Sequence, residues 1–224
     1  HPCTEEFVGA IRRLTEEHGA LMICDEVQSG IFRTGLPYGF QNFGVLPDIV
    51  TMAKGVASGY APISCTVTTE EVFQDFINDP ADRDAYFRDI STFGGCTSGP
   101  VAGLENIRII EDEHLLDNVV SQGAYLLDGL EELKEKYEII GDVRGKGLFV
   151  GLELVKNRDT REPADESKAA ALCGACMKEG VIIGRTSRSF RDLNNTVCMA
   201  PALISTRGDM DEILRALDKG LQTL

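Results

Sequence analysis

Three groups of residues in this chain stand where chemistry can be done. The first is Asp25–Glu26, which ends the apolar run "ALMIC" at 20–24. A carboxylate leaving a buried strand is costly unless a cation, a metal or a protonated ring nitrogen meets it. The everyday alternative is a structural salt bridge or a cap for the next turn. The second is Lys54, set among Met52, Ala53, Gly55, Val56 and Ala57 with no acid beside it. Such a lysine either snorkels to the surface or is a desolvated amine kept ready for imine formation. The third is "STFGGCTSG" at 91–99. Its hydroxyls and backbone N–H groups suit a phosphate, and a helix beginning near Gly99 adds its positive end. A plain loop with an N-cap is the competing reading. Together, an acid, an amine and an anion-binding loop fit one kind of cofactor: a phosphorylated aldehyde with a basic ring nitrogen.

The elements that must carry these groups can be read from periodicity and punctuation. Thr4 caps an amphipathic helix over 4–18, with Phe7, Ile11 and Leu14 at helical spacing. Gly19 stops it, and 20–24 form a short buried strand. A helix feeding such a strand implies a mostly parallel sheet covered on both faces. Ile49–Met52 and 62–68 are further strands. Asp25 and Lys54 each follow a strand end, where ligands gather in open α/β sheets. Thr69 caps a helix over 69–78, and 99–111 and 114–137 are helical. The pattern changes near Gly141. "VRGKGLFVGLELV" is a strand, "EPADESKAAALCGACMKEG" a helix, "VIIGRTS" and "TVCMAPAL" strands, and Thr206 caps a terminal helix. The expectation is an α/β chain: part of a large domain over 1–138 and a smaller α+β domain over 139–224.

Composition narrows the classes. With 224 residues the chain can bury a substantial core, and 43% apolar with 26% charged residues is ordinary for a globular protein. A net charge of −14 speaks against a nucleic-acid surface. Seven scattered cysteines do not form a disulfide framework. Cys24, Cys65 and Cys198 read as small core residues, and Cys173 and Cys176 lie in a helical pattern. With three histidines, a metal site is poorly supported. No apolar stretch approaches the about 18 residues of a membrane span, and no signal peptide opens the chain, so a cytoplasmic protein is expected. The start at His1, without an initiator methionine, suits a mature N-terminus or an internal piece of a longer protein.

Five stretches identify a likeness: "LMICDEVQSGIFRTG", "PDIVTMAKGVASGYAPI", "STFGG", "VRGKGLFVGLEL" and "APALISTRGDMDEI". In this order they resemble the class III, omega-type aminotransferases of fold type I, which use pyridoxal 5'-phosphate. The spacing of 29 residues from Asp25 to Lys54 is part of the likeness. The resemblance implies that Asp25 pairs with the pyridine N–H and that Lys54 holds the cofactor as a Schiff base and shuttles the proton. It implies that Val27 packs on a ring face, that Gln28 lies near the ring hydroxyl, and that Thr92 binds phosphate across a subunit interface. The family usually has His or Asn where Cys96 stands, a small departure. Residues 180–207 carry a closer likeness to the pyruvate-using group that includes the taurine–pyruvate aminotransferases. There Arg185 lies where related enzymes keep an arginine for a substrate carboxylate, with Arg188 and Arg191 as competitors.

The implied activity is transfer of an amino group from an amino acid or omega-amino compound to a 2-oxo acid, pyruvate first, with ping-pong kinetics. The implied assembly is a homodimer with shared active sites, or a tetramer, with no nucleic-acid or membrane partner. The likeness covers the back half of the family's usual length. The front half, with its own phosphate-binding segment and ring-stacking aromatic, would precede His1. Two alternatives stay open: an aminomutase using the same cofactor, and an inactive fragment serving as an interaction subunit.

Overall fold

The computed structural model describes residues 2–77, 81, 87, 91–187, 190 and 192–224. The chain divides into two compact units: Cys3–Phe32 with Leu36–His114, and Leu115–Leu224 with Arg33–Gly35 and Pro2.

The first unit holds α1 (Glu5–Glu17), β1 (Ile23–Asp25), β2 (Ile49–Met52), β3 (Cys65–Thr68), α2 (Glu70–Gln74) and α3 (Ser98–Asp112). Two 3-10 turns, Gly39–Phe43 and Lys54–Ala57, precede and follow β2. Thr4 and Thr69 cap their helices through side-chain oxygens that accept from Phe7 N and Val72 N, as their positions predict. The sheet order is β1-β2-β3. β1 and β2 are parallel, with Ile23 opposite Ile49 and Asp25 opposite Thr51. β3 runs antiparallel to β2, so the mostly parallel sheet expected here is, within this chain, one pairing of each kind. No crossover helix separates β2 from β3, and a parallel connection requires one.

Burial differs from the sequence expectation. The run at 20–24 is not covered on both faces: Met22 is buried, whereas Leu21 and Ile23 are 53% and 61% exposed. Strand alternation explains this, since successive side chains point to opposite faces. The core of this unit gathers Phe40, Val50, Met52 and Val56, with Cys24 and Cys65 partly buried beside them. On α1 the buried residue is Val8, and Phe7 and Leu14 are exposed.

The second unit holds α4 (Leu115–Lys136), β4 (Ile140–Lys146), β5 (Phe149–Asn157), β6 (Glu162–Pro163), α5 (Glu166–Lys178), β7 (Gly184–Arg185), β8 (Thr196–Met199) and α6 (Arg207–Leu221). Its strands are ordered β4-β5-β8-β7, with β6 on β5, and every pairing is antiparallel. The single strand expected over "VRGKGLFVGLELV" is two strands of a hairpin. Gly147 turns the chain at φ +53°, and a Cβ there would lie 2.6 Å from the Thr34 carbonyl carbon. Val119, Leu126, Leu130 and Leu133 of α4 share one core with Val150, Leu152 and Leu154 of β5, Leu172 of α5 and Leu217 of α6. Each such side chain contributes about 1.5–3 kcal/mol of burial. Because α4 closes this core, the division by contact falls at Leu115 rather than at 139. The segment Arg33–Gly35 belongs here as well. Leu148 N donates to Arg33 O at 3.1 Å, and the Arg33 guanidinium donates to the carbonyls of Leu148 and Pro201. Among the described residues no helix is long and apolar enough to cross a membrane.

Candidate active site

β1 and β2 run side by side and end together, which brings Asp25 and Lys54 to neighbouring strand ends. Cα partners on adjacent strands are about 4.8 Å apart, and Lys54 follows Asp25's partner Thr51 by three residues. Asp25 is exposed. Its Oδ1 accepts from Val27 N at 3.0 Å, an Asx turn that aims the carboxylate out of the strand. Lys54 is exposed too, and no described residue makes a hydrogen bond or ion pair with its amine. Its backbone is in the left-handed region, φ +44°, as is Ser58 at φ +49°. Left-handed non-glycine residues are uncommon and mark positions that surrounding structure holds in place.

The holding structure is α3. Gly99, Gly103, Asn106 and Ile110 lie along one face of it, at helical spacing. An added Cβ on Gly103 would meet Val56 Cγ1 at 3.2 Å, and one on Gly99 would meet Pro62 O at 3.2 Å, so the small residues permit a close approach. Asn106 Nδ2 then donates to the carbonyls of Gly55 at 2.9 Å and Val56 at 3.1 Å. The lysine turn is thus clamped to α3. Nothing in the sequence reading singled out Asn106. Its signal was an asparagine, a poor helix former, in mid-helix.

Val27 is half-buried and Gln28 exposed, both in the turn after Asp25. The neighbouring Glu26 is 4% exposed. Its Oε2 accepts from Ser29 Oγ and Gly39 N, both at 2.8 Å, and its Oε1 from Phe40 N at 2.7 Å. The sequence shows an acid here but not these partners, two of which lie 13 and 14 residues away.

Thr92 is exposed in the turn before α3 and has no hydrogen bond to Asp25 or Lys54. At the mouth of α3, Cys96 Sγ lies 3.1 Å from Ser98 Oγ. The Ser98 hydroxyl, then the backbone N–H groups of Ser98 and Gly99, hold the Cys96 thiol below its usual range. Independently of that thiol, the free backbone N–H groups of a helix start suit an anion. The Asp25 carboxylate and the Lys54 amine, on neighbouring strand ends, suit the ring nitrogen and the aldehyde of a phosphorylated pyridine, and the hydroxyl-rich loop before α3 has groups that suit a phosphate, of this chain's cofactor or of another's.

Arg185 belongs to the second unit. It is exposed on β7 and donates to Thr186 O at 3.4 Å. Arg188 and Arg191 lie outside the described residues. Cys176, not Cys24, Cys65 or Cys198, is the fully buried cysteine, and burial pushes its thiol up to about 11. Among the described residues no group of three or more His, Cys, Asp and Glu is arranged to hold a metal.

Residues 1–221 match the Aminotransferase class-III family. The chain is 62% identical over 218 residues to the taurine–pyruvate aminotransferase of Bilophila wadsworthia, covering 97% of this chain and 48% of that protein. It is 56% identical over 217 residues to the hypotaurine/taurine–pyruvate aminotransferase of Paracoccus denitrificans, covering 97% and 47%. Among solved structures, an aminotransferase of Bacillus anthracis superposes with a TM-score of 0.95 at 37% identity, over 99% of this chain and 49% of that one. An amine transaminase from an uncultivated Pseudomonas species in its PLP-bound form gives 0.89 at 30%, over 98% and 48%. The chain spans about half the length of the curated relatives it matches.

Proposed function

Because the chain belongs to the class-III aminotransferase family, we propose that the protein carrying it moves an amino group from an amino compound to a 2-oxo acid, with pyridoxal 5'-phosphate held by Asp25 and Lys54. Pyridoxal phosphate, when bound, withdraws electrons from the carbon that bears the amino group. Lys54 Nζ would be the covalent anchor, and when free the same amine would take a proton from the donor carbon and later return one. The Asp25 carboxylate pairs with the pyridine N–H and keeps that nitrogen protonated. Val27 supports one ring face, and Gln28 stands beside the ring hydroxyl. Thr92 serves the phosphate of the cofactor held by a second copy, so the working unit is a homodimer or a tetramer of such dimers.

The acceptor is pyruvate and the donor a short omega-amino acid or sulfonate of the taurine kind. The identity to relatives named for taurine and pyruvate supports this choice. Arg185 meets the donor's anionic end, for which a guanidinium offers paired donors.

The observation that carries the reading is the parallel register of β1 and β2, with Asp25 opposite Thr51 and Lys54 just beyond. The test is direct. The intact protein is incubated with pyridoxal phosphate, reduced with borohydride and digested. The modified peptide should contain Lys54, and Lys54→Ala should lose the label. A label on another lysine, or none in the wild type, overturns the assignment. Alanine formed from pyruvate across a panel of amines then identifies the donor.

A further inference from the structure

We infer that Glu26 is a positioning residue: its buried carboxylate locks the turn that carries Asp25, Val27 and Gln28, and registers that turn against the strand leading to Lys54. The inference rests on the functional reading above and extends it to a residue that touches none of the reacting atoms.

Every polar group of Glu26 is engaged. Its N–H donates to Thr51 O at 2.8 Å, continuing the β1–β2 ladder by one residue toward Lys54. Its carbonyl accepts from Gly30 N at 3.0 Å, closing the turn over 26–30. Its carboxylate takes three donors, from Ser29, Gly39 and Phe40. The turn around Val27 and Gln28 is therefore fixed at its start, its end and from the facing 39–40 segment. The Val27 N–H that orients Asp25 Oδ1 lies inside it. The cradle has no slack: an added Cβ on Gly39 would meet Glu26 Oε2 at 3.0 Å, and one on Gly30 would meet Glu26 O at 2.8 Å.

The chemistry of the cradle requires a carboxylate rather than an amide. Ser29 can reverse its hydroxyl, but the N–H groups of Gly39 and Phe40 can only donate, and they point at different oxygens. A glutamine must set its NH2 against one of them, which leaves a buried donor unmatched. No lysine, arginine or histidine among the described residues makes an ion pair with Glu26. Among the described residues its carboxylate is met by neutral donors.

The experiment compares wild type, Glu26→Gln and Ser29→Ala in the intact protein with pyridoxal phosphate on Lys54. For Glu26→Gln, amide exchange at Gly39 and Phe40 should accelerate by about tenfold or more, while the buried amides of β2 stay protected. The pH midpoint of the lysine-bound cofactor's visible absorbance should move, and kcat should fall about 10- to 100-fold with donor KM within about threefold. Ser29→Ala, which removes one donor and keeps both N–H groups paired, should change the same readouts in the same direction by less. A fully loaded Glu26→Gln protein with native absorbance midpoint and kcat overturns the inference. So does a general loss of exchange protection with the spectrum of the bound cofactor unchanged, since that marks a residue of the fold alone. Wild-type protein that takes no cofactor on Lys54 overturns the functional reading itself, before any variant is compared.

Discussion

Asn106→Ala removes the clamp on the lysine turn without touching any group proposed to meet cofactor or substrate. Two hydrogen bonds are lost, to Gly55 O and Val56 O. At about 0.5–1.5 kcal/mol each, the clamp contributes about 1–3 kcal/mol. The turn it holds contains two left-handed non-glycine residues, Lys54 and Ser58, at about 1–2 kcal/mol apiece. Clamp and strain are thus of the same size, and removing the clamp lets the turn relax away from its working shape. The cofactor concentration that half-saturates borohydride-trappable Lys54 should rise about 5- to 150-fold, the free-energy loss expressed as a ratio. Exchange of the Val56 and Tyr60 amides, which bond to Ala53 O and Ala57 O, should quicken in parallel. Asn106→Asp, the same size but without the NH2 donor, should do at least as much harm. Half-saturation within about twofold of wild type in both variants, outside the range the hydrogen-bond energies allow, would refute the coupling between α3 and the lysine.

Three further outcomes are expected. Asp25→Asn should retain trappable cofactor on Lys54 while slowing the donor half-reaction by about 100-fold or more, read by stopped-flow absorbance; an unchanged rate removes Asp25 from its role. Gly123→Ala, although a helix-favouring exchange worth about 1 kcal/mol, should destabilise the protein by about 1–3 kcal/mol, because its Cβ would lie 2.5 Å from Gly147 O; a raised urea midpoint contradicts this. Asp48 accepts from Met22 N at 2.7 Å and Arg12 Nη1 at 2.8 Å. The backbone bond from Met22 chiefly, with the Arg12 guanidinium, holds its carboxyl below the ordinary range. Its stabilisation is therefore present above about pH 3.9 and lost as pH falls through the depressed value. Asp48→Asn should lower the melting temperature at pH 6, with the gap closing under acid; a gap that widens below pH 4 reverses the sign of the linkage.

The local pattern draws attention to Asp25 and Lys54, since an apolar run that ends in acids and a lone lysine in a small-residue turn both break their surroundings. The pattern alone leaves a structural salt bridge or a snorkelling lysine open, and the proposed roles come from the family resemblance. Glu26 and Asn106 were not legible in the same way. Their meaning lies in partners 13 to 51 residues distant, and sequence spacing does not report such pairs. The hairpin of β4 and β5 was hidden because "VRGKGLFVGLELV" alternates through its own turn, and only the demand of Gly147 for a positive φ breaks it. The helix over 114–137 was found, but its apolar stripe does not say which sheet it covers. The exposed Phe7, Leu14 and Ile23 show the converse limit: periodicity finds the apolar face and cannot tell whether this stretch of chain covers it.

The face of α3 built from Gly99, Gly103 and Asn106 also acts as a ruler. From Gly99 to Asn106 the helix rises about 10 Å, with the anion-favouring mouth at one end of that interval and the lysine clamp at the other. Substitutions along its outer side leave the interval unchanged. A single inserted residue between the two would swing everything beyond it by about 100°, turning the clamp away while leaving the mouth in place. Along this face the chain must keep both its length and the small and amide residues that meet the lysine turn.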